Sequence, residues 1–273
     1  MKGRILSDLK LENQIRKTAI AAAEDAGKEL LRLFKNERIL VRRKFDYPGS
    51  IVTNADRKAE QIILSSIRKT KIPCTVVSEE AGRIDLGSRD VVWGVDPLDG
   101  TLNYAKRIPH FAVSIGAIVK GETNVGVIYN PVLDEMFVAT KGQGARLNGK
   151  RIHVSNSKSL RGATLIFEWW DHEPLIPDPL GLEKQLYRLT RSVRSPGSVA
   201  LNLCAVAAGR FDGLITVFAR SPIYEIAAGC LIVLEAGGRV TNSAGESWDN
   251  YRGSIIAAGE SIHTRLLGMI GSR

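Results

Sequence analysis

The stretch Val91-Val92-Trp93-Gly94-Val95-Asp96-Pro97-Leu98-Asp99-Gly100-Thr101 restricts this chain more than any other, because an apolar run of strand type ends there on two acids, a glycine and a threonine. β-branched and aromatic residues suit a buried strand, and Pro97, which has no N–H to donate, is expected to end regular pairing. Asp96 and Asp99 then stand at a strand end, three residues apart across a proline-fixed bend, where both can face one point. Two hard carboxylates with the Leu98 carbonyl between them suit Mg2+. Gly100 lets the backbone approach a ligand closely, and the N–H groups of Gly100 and Thr101, opening a helical turn, would hold the oxygen of an anion. The same Asp-Pro-x-Asp-Gly run is also sound turn chemistry, with Asp side chains accepting from their own backbone. The rest of the chain has to decide between the two.

At 273 residues the chain is long enough to bury roughly three quarters of its unfolded surface, so no metal or disulfide is required for folding alone. Its apolar runs break well short of the roughly 18 residues of a membrane span, and Met1-Lys2-Gly3-Arg4-Ile5 lacks the apolar core of a signal peptide. A cytoplasmic protein with no membrane partner is expected. Cys74, Cys204 and Cys230 are odd in number, far apart and set in apolar stretches, so they read as core residues, not as a disulfide or zinc framework. The net charge of +9 allows either nucleic acid or small anions as partners. The basic residues are scattered apart from Arg42-Arg43-Lys44, and no aromatic-studded basic motif accompanies them, which favours small phosphorylated metabolites.

Taken in order, the chain opens with apolar residues at helical spacing (Leu11, Ile15, Ala19, Ala22, Ala26, Leu30, Phe34), a long amphipathic helix over residues 9–34. The polar stretch Arg42 to Ser50 reads as a loop of the kind that often serves as a lid. Ile51 to Asp56 reads as a strand entering a helix, with Thr53 and Asp56 at capping-box spacing; Asp56 is then a cap, or a base or ligand beside a metal. Cys74 to Ser78 is a second apolar strand ending in acid, Glu79-Glu80, which is either a solvated acidic turn or a partner for Asp96, since ligands of open sheets gather at such strand ends. From Phe111 to Val154 the pattern is antiparallel, and Asn148-Gly149 marks a hairpin between strands at 145–147 and 152–154. After Ser155, short strands and helices alternate. The fold class expected is therefore α/β: an N-terminal α+β half (1–155) carrying the metal site and a C-terminal α/β half (156–273), packed as one unit. In the second half Gly197-Ser198-Val199 is a further anion-friendly helix start, and Glu225 is a lone acid in the first turn of an apolar helix, where the dipole tolerates it.

Glu79-Glu80 after a strand, Asp96-Pro97-Leu98-Asp99-Gly100-Thr101 with Asn103-Tyr104 behind it, and Ala227-Ala228-Gly229 followed by Glu235-Ala236-Gly237-Gly238 together resemble the inositol monophosphatase family, from about Ile51 to Ala258. Val77-Ser78-Glu79-Glu80 and the overall length look most like its archaeal inositol monophosphatase/fructose-1,6-bisphosphatase group. The resemblance implies a layered αβαβα sandwich of the sugar phosphatase type. It implies two or three Mg2+ ions, with Mn2+ able to substitute, held by Glu79, Asp96, the Leu98 carbonyl and Asp99. It places Asp56 with Thr101 to activate the attacking water beside Glu79, and it puts a substrate phosphate against Asp99, Gly100 and Thr101 and the Gly197-Ser198-Val199 helix start. A homodimer is expected because family members commonly are dimers.

Two positions depart from the family's pattern. The family's Trp-Asp before Ala-Ala-Gly is here Tyr224-Glu225, so Glu225 would reach a second ion with one methylene more. Where animal members place an acid that reads inositol hydroxyls, this chain has Phe218, with Arg220 close by; an arginine suits a second phosphate better than a polyol. The expected activity is Mg2+-dependent hydrolysis of fructose 1,6-bisphosphate, inositol 1-phosphate or both. The alternatives are a phosphatase of nucleotide 3′-phosphates or of the NADP 2′-phosphate, and, from another class, a weakened relative serving as an RNA- or protein-binding module.

Overall fold

The computed structural model describes residues 2–36, 38–44, 51–169, 178–217, 222–248 and 253–271. The helical stripe of the N-terminus forms α1 (Lys2–Asn36), which packs against α2 (Asn54–Lys69). Between them, β1 (Val41–Arg43) and β2 (Ile51–Thr53) pair antiparallel as a two-stranded ribbon. The stretch expected to be a lid thus begins as a strand, and its residues 45–50 lie outside the described residues.

A seven-stranded sheet follows, in chain order across its width: β3 (Cys74–Ser78), β4 (Gly82–Asp99), β5 (Ala112–Val119), β6 (Glu122–Asn130), β7 (Glu135–Thr140), β8 (Ala145–Leu147) and β9 (Lys150–Arg151). β4 lies along both sides of β3: its first part pairs Gly82 with Ser78 and Ile84 with Val76, and its later part pairs Val92 with Thr75 and Val95 with Ser78. Pro97 does not end β4 as expected. The ladder to β5 pairs Asp96 with Ser114 and resumes at Asp99 with Ala112, so Pro97 and Leu98 oppose one residue of β5. That is a bulge, which lets a residue with no N–H sit in a strand and bends the two acids toward one side. The Asn148-Gly149 hairpin forms as expected, both residues at positive φ (47° and 80°), but its second strand is β9, not residues 152–154.

The second half builds a five-stranded sheet from β10 (Thr164–Glu168), β11 (Ser192–Arg194), β12 (Gly213–Thr216), β13 (Arg239–Thr241) and β14 (Ile255–Ala258), in the order β11-β10-β12-β14-β13. Its helices are α4 (Pro179–Leu189), α5 (Val199–Ala207), α6 (Ile223–Glu235) and α7 (Glu260–Gly271). Strand alternation separates three cores. Trp93, Val95, Ile115 and Val127 face α1 and α2; Ile128, Phe137, Ile166, Leu214 and Ala257 enclose α5 and α6; Leu165, Phe167, Ile215 and Ile256 face α4 and α7. The order is helix, sheet, helix, sheet, helix, the layered sandwich that the resemblance implies.

The middle helices carry almost no polar residues because both of their sides are covered. One contact sets their position. Gly94, Gly116 and Gly126 are mutual partners across three strands, and a Cβ on each would stand 3.1 Å from the Ile223 carbonyl, 3.0 Å from Ala227 Cβ and 2.6 Å from the Ala228 carbonyl. The missing side chains form a trough in the sheet, and α6 lies in it.

Candidate active site

Asp56 is the cap that the sequence offered as one of its alternatives, and its second oxygen is left facing Thr101. Thr53 caps α2 by accepting from the Ala55 and Asp56 N–H groups, and Asp56 Oδ2 accepts from the Thr53 N–H at 2.8 Å and from its hydroxyl, closing the capping box. The other oxygen, Oδ1, faces the Thr101 hydroxyl at 3.3 Å. Asp56 is fully buried, and burial raises its pKa to about 7, with the charge of Glu79 and Glu80 adding to the rise against the Thr53 hydrogen bonds.

The bulge of β4 presents the two other aspartates. Asp96 Oδ1 accepts from the Leu98 N–H at 2.9 Å, while the Leu98 carbonyl accepts the Thr101 hydroxyl at 3.0 Å. Asp99 crosses to the second half of the chain: its Oδ2 accepts from the Ser198 hydroxyl and from the Ala200 N–H at 2.9 Å, so this carboxylate caps α5. A carboxylate at a helix N-terminus meets free N–H groups and the positive end of the dipole. Gly100 stands at φ 88°, where a Cβ would lie 2.9 Å from the His110 carbonyl; the turn into α3 (Thr101–Ala105) accepts glycine alone without strain.

Glu79 follows β3, its N–H bonded to the Val95 carbonyl at 3.1 Å, which sets it beside the acids of β4. Glu225 stands in the first turn of α6, half-buried, its placement following from the seat of that helix on Gly94. Asp96, Asp99 and Glu225 all have pKa values above the ordinary carboxylate range, Asp99 at about 6, chiefly from burial and next from neighbouring acids, Glu79 among them in each case. For Asp99 the bonds from Ser198 and α5 oppose the rise. Four acids from three parts of the chain therefore share one electrostatic environment.

Among the described residues, no three acidic, histidine or cysteine side chains already encircle a common point. Each acid has a protein partner instead: Glu79 has Lys44 at 2.8 Å, Asp96 the Leu98 N–H, and Asp99 the start of α5. The donor set nonetheless fits a divalent cation. The partners are all hard oxygens, and the raised pKa values of Asp96, Asp99 and Glu225 express buried negative charge that a cation would relieve.

The anion-binding expectation for Gly197, Ser198 and Val199 meets a different arrangement. The Gly197 N–H donates to Glu168 at 2.7 Å, and the Ser198 hydroxyl is spent on Asp99. This corner serves to hold Asp99 in place. Glu168, 1% exposed at the end of β10, also takes the Ser195 hydroxyl and the Asn202 amide at 2.8 Å each, while the Asn103 amide donates to the carbonyls of His110, Pro196 and Gly197. Sequence reading missed Glu168, Asn202 and Lys44. It also missed Glu60, which accepts from the Ser78 hydroxyl and the Ala81 N–H (2.9 Å) and so braces the Glu79-Glu80 turn. Glu60 stands four residues after Asp56 on the apolar face of α2, a helical spacing that marks it. Phe218 and Arg220 lie outside the described residues.

Comparison with known proteins shows the family of the chain. The family profile for the inositol monophosphatase family matches residues 11–271. The chain belongs to the inositol monophosphatase family. The Nus factor SuhB of Escherichia coli (strain K12) is 37% identical over 250 residues, covering 91% of this chain and 92% of the relative. Among solved structures, the extragenic suppressor protein suhB of Bartonella henselae aligns with TM-score 0.86 at 34% identity, covering 93% of this chain and 97% of that one. The inositol monophosphatase of Anabaena (Nostoc) sp. PCC 7120 aligns with TM-score 0.82 at 33% identity, covering 95% and 96%. Inositol monophosphatase family membership makes this a chain of phosphatase type, and the relatives just described are bacterial, not members of the archaeal group expected from the sequence.

Proposed function

We propose that the protein is a Mg2+-dependent phosphomonoesterase acting on a small sugar or inositol phosphate, with fructose 1,6-bisphosphate and inositol 1-phosphate as the substrates to compare. The observation that carries this reading is the convergence of Glu79, Asp96, Asp99 and Glu225 in one field beside the Asp56–Thr101 pair. In this reading Glu79, Asp96, Asp99, the Leu98 carbonyl and Glu225 would hold the cations, for which Mn2+ can stand in. Bound there, Mg2+ supplies a water of lowered pKa and neutralises phosphoryl oxygens during displacement. Asp56, poised near neutrality, takes up a proton through the Thr101 hydroxyl, and its Thr53 bonds fix the oxygen that faces Thr101. The N–H groups of Gly100 and Thr101, at the start of α3, would take a phosphate oxygen. Release of inorganic phosphate from each substrate, with and without Mg2+, tests the proposal. Activity that requires Mg2+ and disappears in Asp96→Asn supports it; Mg2+-independent release, or full activity of Asp96→Asn, overturns it.

A second reading has its own support. Relatives 37% identical to this chain carry the name Nus factor, and the chain has a net charge of +9. In that reading the protein works by binding RNA or another protein. It requires an affinity for RNA that falls steeply with salt and survives Asp96→Asn.

A further inference from the structure

Arg42-Arg43-Lys44 is the one basic run of the sequence, and the proposed reaction uses none of it. Lys44 directly follows β1, whose pairing of Val41 with Thr53 ties it to the strand that leads into α2 and supplies its N-cap. The Leu40 N–H donates to Asn54 Oδ1 at 3.0 Å and the Asn54 N–H donates to the Leu40 carbonyl at 3.2 Å, so the approach to Lys44 is fixed at two points. The anchored ammonium lies 2.8 Å from Glu79 Oε1 and also contacts Glu80 Oε1; the side chains of Lys44, Glu79 and Glu80 are 14%, 20% and 9% exposed. An exposed pair of this kind contributes little, but here both carboxylates and the ammonium are largely withdrawn from water. On its other side Glu79 borders β4, its N–H bonded to the Val95 carbonyl at 3.1 Å, one residue before Asp96. Glu79 thus stands between an ammonium and the buried acids of β4.

We propose that Lys44 is a built-in competitor for the divalent cation: its ammonium holds Glu79, and a cation binds by taking Glu79 from it. The inference rests on the metal-site reading of the proposed function. Two effects act in the same direction. The positive charge of Lys44 opposes an incoming cation, and Glu79 has to leave an existing ion pair before it can coordinate. Both lower cation affinity, and both disappear when the ammonium is removed. A unit charge about 6 Å from a dication, screened as in water, changes its binding about tenfold. Lys44 in this role touches neither substrate nor reacting atoms; it is a positioning residue that sets how much free cation the site requires.

The test is calorimetric titration of Mn2+, and separately of Mg2+, into the full chain in the wild-type, Lys44→Met and Lys44→Arg forms at one ionic strength, with thermal unfolding recorded with and without the cation. Lys44→Met is expected to bind about tenfold more tightly than wild type, with a larger cation-induced rise in Tm, while Lys44→Arg stays within a few-fold of wild type. If Lys44→Met proves too unstable to titrate because Glu79 and Glu80 repel each other, Lys44→Gln, which can still donate to one carboxylate, is measured in its place with the same expectation of tighter binding. Binding by the neutral variant that is unchanged or weaker overturns the competitor role while leaving the metal site standing. No cation binding by the wild type overturns the metal-site reading itself, and this inference with it.

Discussion

Asp56 closes the α2 capping box with one oxygen and, in the proposed reaction, serves the chemistry with the other. Its Oδ2 is committed to the Thr53 N–H and hydroxyl, and only Oδ1 remains to face Thr101. Asp56→Asn keeps the volume and can still accept from Thr53 through its amide oxygen, but it cannot take up a proton. We expect it to lower kcat by about 10²- to 10⁴-fold, the usual range for loss of a general base, with Mn2+ affinity measured by calorimetry little changed. A second buried group gives a pH prediction away from the site. His263 is fully buried, its Nε2 3.0 Å from the Thr241 hydroxyl, and burial, reinforced by Arg239, lowers its pKa to about 4. In the unfolded chain it titrates near 6.5, so between about 6.5 and about 4 the folded state binds fewer protons than the unfolded one. Stability is therefore lost through this group as pH falls across that window, and above it the group contributes no pH dependence. The difference in urea midpoint between wild type and His263→Gln should change between pH 7 and pH 4.5, with wild type losing more; parallel curves would show that His263 titrates normally.

At the scale of elements, the trough of Gly94, Gly116 and Gly126 links sheet packing to the site. Gly116→Val would set a branched side chain where a Cβ alone already comes within 3.0 Å of Ala227 Cβ and 3.2 Å of the Ala228 nitrogen. Overpacking of this kind costs about 1–3 kcal/mol, outweighing the better strand propensity of valine, and urea unfolding measures it directly. Gly94→Ala acts about one turn earlier on the same helix, 3.1 Å from the carbonyl of Ile223, two residues before Glu225. It should weaken cation binding more than Gly116→Val does; equal effects would mean that the start of α6 does not place Glu225. The elements also show how far local reading reaches. The α2 capping box, the Asn148-Gly149 turn and β3 follow from contacts within a few residues, and each stands where the spacing puts it. The bulge at Pro97 and Leu98 does not, because it depends on β5, a separate strand whose Val113 alone stands opposite the two residues.

For the molecule as a whole, the five-layer order explains a composition that looks contradictory in sequence. α5 and α6 are too apolar for surface helices, and they are the layer with a sheet on either side. The two halves meet at the site through a carboxylate at a helix end, Asp99 on α5, and through the seat of α6 on the first half's sheet. The sequence by itself determined the families of elements, the strand-end acids and the resemblance that names the family, because apolar periodicity, caps and turn residues act over short stretches of chain. Only the tertiary structure decided that Asp99 caps a helix about a hundred residues away, that the Gly197 N–H is spent on Glu168, and that Lys44 holds Glu79. Charge and hydrogen-bonding capacity are written residue by residue, but which partner claims them depends on distances that exist only once the layers have closed.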